Sequence, residues 1–380
     1  MFDFLPAALR TPVSFVIVLG VLVFIHEMGH YLAARWRGVH VETFSIGFGR
    51  AWATWTDRQG TVWRLAWIPL GGYVKLHGQE RPENVAPEIR AGWIAGRTFQ
   101  EKSVLSRAIV VIAGPVANFI LAAVLYISLF LAVGRPFQPA VVGDVVAQSV
   151  AAKAGLMAGD RITGIESASG TATHWTTERF EEIQRVVASH PGQPLLLHVR
   201  RADAPLDIAV TPEAHDAGGG VTTGMLGIRN GDQQFEPLSP PQAVVEGLAR
   251  TWDVTEQTVA GIWSMIAQRK GGEDLGGPLR IAQMSGQVAQ LGFLSFVSFI
   301  AVLSINLGLI NLFPIPVLDG GHLVFLLAEA IRGRPLPTRA QEYGFRAGFA
   351  VLISLFVFAT WNDLSHIGLF RWVAGLIGKA

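Results

Sequence analysis

The sequence predicts a polytopic α-helical membrane protein of about four transmembrane helices with one inserted α/β domain, and three observations predict it. Half of the 380 residues are hydrophobic and only 16% are charged, for a mean hydropathy of +0.38, too apolar for a soluble domain of this length. Several apolar runs reach the roughly 20 residues that a helix needs to cross a bilayer core. Between the second and third of them the chain becomes acidic and turn-rich, with short β-branched stretches. The net charge of +1 supplies no basic face for phosphate, which excludes nucleic acid as a partner. With no cysteine there is neither a disulfide framework nor a thiolate site, so a metal would be held by histidine and carboxylate.

The first span covers residues 13–34; its apolar run is long and ends without a small-residue cleavage site, which reads as a retained helix rather than a leader. Arg35 and Arg37 follow it at once. A loop, 35–103, leads to the second span, 104–133, preceded by Arg97 and Lys102, carrying Arg107 near its start, and closed by Gly134, Arg135 and Pro136. Residues 134–237 form the inserted domain. The segment 238–290 opens on Pro240 and Pro241, and its Val244, Leu248, Trp252, Val259, Ile262 and Ile266 fall mostly three, four or seven apart. That spacing predicts an amphipathic helix, either lying on the outer membrane surface or packed on the insert.

The third span, 291–331, is interrupted by Pro314, Pro316, Gly320 and Gly321, and the fourth covers 345–361, with Arg332, Arg334 and Arg339 between them. The positive-inside tendency puts the 35–103 loop and the short link after the third span on the cytoplasmic side. Both chain ends and the insert then lie outside, and membrane lipid is the surrounding partner.

Within the insert, Ala151 to Ile162 reads as a helical turn, a stop at Gly155, then a Gly159-Asp160 turn into a strand. This stretch resembles PDZ domains, which bind peptides by adding a strand to a sheet edge. The strand-like segments 138–146 and 223–229 bracket one such PDZ-like unit.

The chemistry starts at His26-Glu27-Met28-Gly29-His30, in the middle of the first span. On a helix, residues four apart lie about 40° from each other and about 6 Å along the axis, so both imidazoles face one metal. Glu27 is placed to take a proton from a metal-activated water. Ionisable groups in an apolar span cost about 2.5–3.5 kcal/mol for a central charge, so something must offset that cost. At 1.5 Å per residue, the distance to Arg35 puts the pair roughly 13 Å inside the cytoplasmic face. Two histidines leave zinc short of the usual three protein ligands. The broken third span offers Asp319 and His322, and charge favours the anionic Asp319 in a low dielectric.

His26-Glu27-x-x-His30, together with Asn311-x-x-Pro314-x-Pro316-x-Leu318-Asp319-Gly320-Gly321, resembles the site-two protease family of intramembrane metalloproteases. Gly71-Gly72-Tyr73-Val74-Lys75, Ala113-Gly114-Pro115-Val116-Ala117-Asn118 and Gly277-Pro278-Leu279 are similar to its bacterial RseP branch. The resemblance implies that His26, His30 and Asp319 bind zinc, that Glu27 activates water, and that Asn311 and Asn306 hold substrate backbone. A substrate helix must unwind before its carbonyls can be reached, since they are paired internally. Thr61 to Leu76, with apolar residues around Arg64 and a turn at Gly71-Gly72 followed by Tyr73, forms either a membrane-dipping hairpin with a substrate-binding edge or the packing of a cytoplasmic loop.

For the RseP branch the implied partners are single-pass transmembrane proteins. The tasks are the second cut of a membrane-anchored anti-sigma factor and the clearance of signal peptides, in the bacterial inner membrane. Enterobacterial members carry two PDZ domains in tandem, whereas this insert has length for one. Two other classes compete: a membrane-tethered PDZ adaptor with a structural or vestigial zinc site, and a metal transporter, which the four spans without an inverted repeat disfavour.

Overall fold

The computed structural model describes residues 6–80, 85–167, 173–216, 222–268 and 276–366. The chain ends, expected on the outer side, lie outside the described residues. The chain divides into two compact units, one of Met1–Leu129 with Val244–Ala380, the other of Phe130–Ala243.

In the first unit, α1 (Ala7–Trp36) is a continuous helix with His26 and His30 on one face. Strands β1 (Val41–Thr56) and β2 (Val62–Leu76) follow, both long enough to bend on themselves. Thr43–Ile46 of β1 is bordered on one side by Val62–Leu65 and on the other by Gly72–Lys75, while Ala51–Thr56 pairs with Val62–Ala66. The Gly72–Leu76 stretch is therefore an edge, with no further strand beside it among the described residues.

Val62–Leu65 and Gly72–Lys75 run in opposite directions on the two sides of Thr43–Ile46, so β2 doubles back before Gly72, as the paired glycines predict, but with a segment of β1 between its two arms. The chain also reverses at Asp57–Thr61, where the Asp57 carboxylate accepts from the Gln59 and Thr61 amides, side-chain chemistry that stabilises a turn without paired glycines. The same carboxylate accepts from the Tyr31 hydroxyl and the Trp63 indole, tying the turn to α1. Desolvation by itself raises the Asp57 pKa, but these four donors together hold it below the usual carboxylate value. A short α2 (Pro87–Ala91) precedes α3 (Val104–Val133). Tyr31, Ala34, Val41, Phe44 and Val110 bury the contact between α1, the hairpin and α3.

The second unit opens with β3 (Arg135–Phe137), β4 (Val142–Val145) and α4 (Val150–Lys153). It continues through β5 (Arg161–Ser167), β6 (His174–Thr176), α5 (Phe180–Ala188), β7 (Leu195–Arg201) and β8 (Ala204–Val210). The short strands β9 (Glu213–Asp216), β10 (Thr222–Met225), β11 (Ile228–Asn230) and β12 (Gln234–Glu236) close it. β6, β5, β7 and β8 form an antiparallel sheet in that order, and β11, β10 and β12 pair with β4, β9 and β3. Ile162 and Ile165 of β5 and the alternating Leu195, Leu197 and Val199 of β7 pack with Phe180, Ile183 and Val187 of α5 to make one core. The Ala151–Ile162 stretch folds as α4, a turn and the start of β5. In that turn the buried Asp160 carboxylate accepts two 2.8 Å bonds from the Arg201 guanidinium and one from the Met157 amide.

Returning to the first unit, α6 (Pro240–Gln268) leaves Val245, Leu248, Trp252, Val259 and Trp263 exposed. The amphipathic segment is two helices rather than one, because Gly277 and Pro278 start α7 (Pro278–Gln290). Among the described residues α7 has no cap from its own sequence neighbours; the buried Asp363 accepts from the amides of Gly277, Leu279 and Arg280 at 2.8, 3.1 and 3.1 Å. Ala289 of α7 joins Val18 and Leu22 of α1 in a buried cluster with Phe296 and Ile300 of α8 (Phe293–Asn311). The prolines deny amides to a continuing helix, so α8 stops at Asn311 and α9 (Asp319–Arg332) starts afresh after Leu318. The last helix, α10 (Thr338–His366), begins before the expected 345. Among the described residues, four helices are long and apolar enough to cross a membrane: Leu9–Trp36, Val104–Val133, Phe293–Asn311 and Thr338–Ser365.

Candidate metal centre

Two helix contacts bring the ionisable groups together. α1 and α3 meet through glycine: a Cβ at Gly29 would sit 2.8 Å from that of Ala117 and inside the Ala113 carbonyl, and one at Gly114 would overlap the His30 ring. Neither helix could come this close with alanine there. On the other side, the first turn of α9 rests on the carbonyls of Leu312, Phe313 and Ile315, an approach that only Gly320 and Gly321 permit. That seating aims Asp319, the first residue of α9, at α1.

The result is three convergent atoms. His26 Nε2 and His30 Nε2 lie 3.2 Å apart, and Asp319 Oδ2 lies 3.2 and 3.4 Å from them. These residues are the one group of at least three His, Asp, Glu or Cys side chains among the described residues placed to share a metal. Asp319 Oδ2 is buried with no hydrogen bond of acceptable geometry. A buried carboxylate oxygen without a donor is costly, so this arrangement calls for a cation. Zinc bonds of about 2.0–2.1 Å in tetrahedral geometry imply ligand separations of about 3.3–3.4 Å, which match those present. The outer nitrogen of His30 is also satisfied: Nδ1–H donates to the Val110 carbonyl at 2.8 Å, leaving Nε2 as the lone-pair atom. The residues present fit zinc.

A cavity of about 990 Å³ opens from this cluster. Glu27 lines it beside the ligand atoms, and the Cβ that Gly72 lacks would lie 3.2 Å from Glu27 Cγ, so the β2 edge runs alongside the carboxylate. Gly72, Tyr73 and Asn311 line the cavity, as does His322, whose ring packs at 5.3 Å on Phe345 and is not part of the three-atom cluster. Gly71 is not among the lining residues, and Asn306 accepts from the Thr258 hydroxyl of α6 at 3.1 Å. Gln79, Gln100 and Gln341 also line the cavity. There Arg107 of α3 makes a two-pronged, nearly buried ion pair with Glu329 of α9, joining the helices that flank the cavity.

Three features of this site carry no role in the sequence reading: the Val110 carbonyl, the Arg107–Glu329 pair, and Asn118, whose amide lies 3.2 Å from His26 Nδ1. The usable signal is a polar residue inside an otherwise apolar span, which marks function or a buried partner.

Comparison with known proteins agrees with this chemistry. Residues 14–355 match peptidase family M50. The chain is 41% identical over 371 residues to a protein of Rhizobium meliloti named as a zinc metalloprotease, covering 93% of this chain and 96% of that one. It is 33% identical to the regulator of sigma-E protease RseP of Escherichia coli and 32% identical to the protease RseP of Yersinia pestis, each over 93% of this chain and 98% of the relative. The alignment with the Escherichia coli protein runs over 452 residues, more than this chain's 380, so that relative carries added sequence.

Proposed function

The chain belongs to peptidase family M50, the site-2 proteases, and is a zinc metalloprotease of the membrane; on that premise we propose that His26, His30 and Asp319 hold the zinc and Glu27 is the general base. The observation that carries the assignment is the buried, donorless Asp319 oxygen facing two Nε2 atoms, with Glu27 on the same cavity wall. Zinc bound there supplies Lewis acidity that polarises a peptide carbonyl and acidifies water. Glu27 accepts the proton of the water that attacks the carbonyl carbon, then returns it to the amide nitrogen as the C–N bond breaks.

The substrate is a transmembrane segment of a single-pass protein, held extended. Support comes from the edge at Gly72–Leu76, whose unpaired backbone offers the hydrogen bonds that an unwound helix loses. Asn311, also on the cavity, supplies a side-chain amide to the same strand, and Tyr73 borders it. Asn306 and Gly71 have weaker support, since neither lines the cavity. In cells the reading is the second cut of an anti-sigma factor and removal of signal peptides, consistent with the names of the RseP relatives. The setting is the bacterial inner membrane, with the site toward the cytoplasm and the 134–237 region outside. That region is PDZ-like, supported by its helix-turn-strand at Ala151–Ile162 and its sheet backed by α5.

The test is cleavage of a model transmembrane substrate by the detergent-solubilised protein, with and without a chelator, beside Glu27→Gln. The expected result is loss of turnover in both cases, with Glu27→Gln keeping one zinc per chain. Cleavage that survives both treatments refutes the mechanism.

A further inference from the structure

Both Nε2 atoms of the histidine pair point at a common centre, so each ring must carry its proton on Nδ1 if Nε2 is to offer a lone pair. For His30 the acceptor of that proton is the Val110 carbonyl. For His26 the atom placed at Nδ1 is the amide nitrogen Nδ2 of Asn118, 3.2 Å away, which a half-turn of the amide exchanges with its oxygen. Asn118 is completely buried in α3, and the other terminal atom of its amide meets no partner. Its place is held from two sides, since the Ser304 hydroxyl of α8 donates 2.8 Å to its backbone carbonyl and Pro115 begins the same turn. An asparagine that only filled space would be replaced at no loss by leucine, which has its shape and suits an apolar helix.

We propose that Asn118 is a positioning residue: its amide oxygen accepts from His26 Nδ1–H, fixing the tautomer and ring orientation that leave Nε2 free for zinc. The amide is then turned so that oxygen, not NH₂, faces the imidazole, because two donors cannot share a hydrogen bond. Asn118 and Val110 thus do the same task for the two histidines from positions about two turns apart on α3, one through a side chain and one through the backbone. Partners of this kind typically change metal affinity by about 10–100-fold when removed. The inference rests on His26 being a zinc ligand, as proposed above.

The test measures zinc affinity by chelator competition on the full-length protein in detergent, for the wild type, Asn118→Leu and Asn118→Asp. Leucine keeps the volume and removes the acceptor; aspartate keeps the acceptor. The expected result is a loss of about 10–100-fold for Asn118→Leu and recovery to within about threefold for Asn118→Asp. Asn118→Leu binding zinc as the wild type does would overturn the proposal, and so would Asn118→Asp falling as far as Asn118→Leu. A second measurement needs no folded Asn118 variant: ¹⁵N spectra of histidine-labelled, zinc-free wild type, with the His26 signal assigned by its loss in His26→Gln. His26 protonated on Nδ1 supports the assignment, and protonation on Nε2 alone overturns it. A wild type that takes up no zinc would sink the proposed ligand set, whereas a zinc-binding wild type indifferent to residue 118 would sink only this inference.

Discussion

Replacing Gly114 with alanine adds a single methyl group at the point where α3 touches the metal-facing edge of both histidines. The new Cβ would overlap His30 Nε2 and Cε1 and would lie 2.9 Å from His26 Cε1. Non-bonded carbon settles at about 3.5–4.0 Å, so the His30 ring must withdraw by roughly 1 Å or the two helices must part. Parting costs about 1–3 kcal/mol, typical of overpacked cores. Withdrawal opens the 3.2 Å separation of the Nε2 atoms beyond what one small cation can bridge. A displacement of about 1 Å near the reacting atoms is worth about 100-fold in rate. Gly20→Ala, in the same helix as the histidines, is the control, because a Cβ there meets nothing within 4 Å. The expected outcome is a fall of about 100-fold or more in cleavage rate and a loss of zinc for Gly114→Ala, measured by turnover and by metal analysis after gel filtration, with Gly20→Ala unchanged. Gly114→Ala retaining a full equivalent of zinc and turnover within about threefold of wild type would refute the packing argument.

Asp319→Asn should lower zinc content more than His322→Ala, because the first removes the buried anion facing both Nε2 atoms and the second a ring stacked on Phe345; the opposite ranking, by metal analysis, would transfer the ligand role to His322. In the 130–243 unit, burial by itself raises the Asp160 pKa, but the Arg201 bonds, the Met157 amide and the Arg201 charge outweigh it and leave the carboxyl below the usual range. A folded pKa below the unfolded one means that this stabilisation is complete above about pH 4 and disappears as pH falls through the depressed value. Asp160→Asn should cost this unit about 2 kcal/mol, less than a fully buried pair because Arg201 reaches the surface, and should blunt its acid sensitivity in thermal melts at pH 7 and pH 3. A variant as stable and as acid-sensitive as wild type would count against it.

Local spacing is what the sequence makes legible. The His26 and His30 juxtaposition follows from one helical turn, and the four apolar helices follow from length and composition alone. Asp319 is visible because a carboxylate stands out beside prolines in an apolar run, although its aim depends on carbonyl contacts of Gly320 and Gly321 that no periodicity encodes. The hairpin is harder. Paired glycines signal the reversal inside β2, but nothing local shows that Thr43–Ile46 lies between its two arms, where Ser45 and Glu27 press against Gly72, or that the Asp57 side chain makes a separate turn. Contacts such as Asn118 with His26, 92 residues apart, and Arg107 with Glu329, 222 apart, exist only after the helices pack. Polar residues in apolar helices reveal that a partner exists without revealing which one.

The carboxylate of Asp363 has a consequence for biosynthesis. Helix α7 borrows its terminal acceptor from 86 residues further along the chain, so while the ribosome is still making the intervening stretch, the amides of Gly277, Leu279 and Arg280 have only water to bond. Because α7 is packed against the helix that carries both histidines, α10 supports α1 through it. A nascent protease therefore stays unfinished at its earliest-made catalytic element until α10 has been delivered.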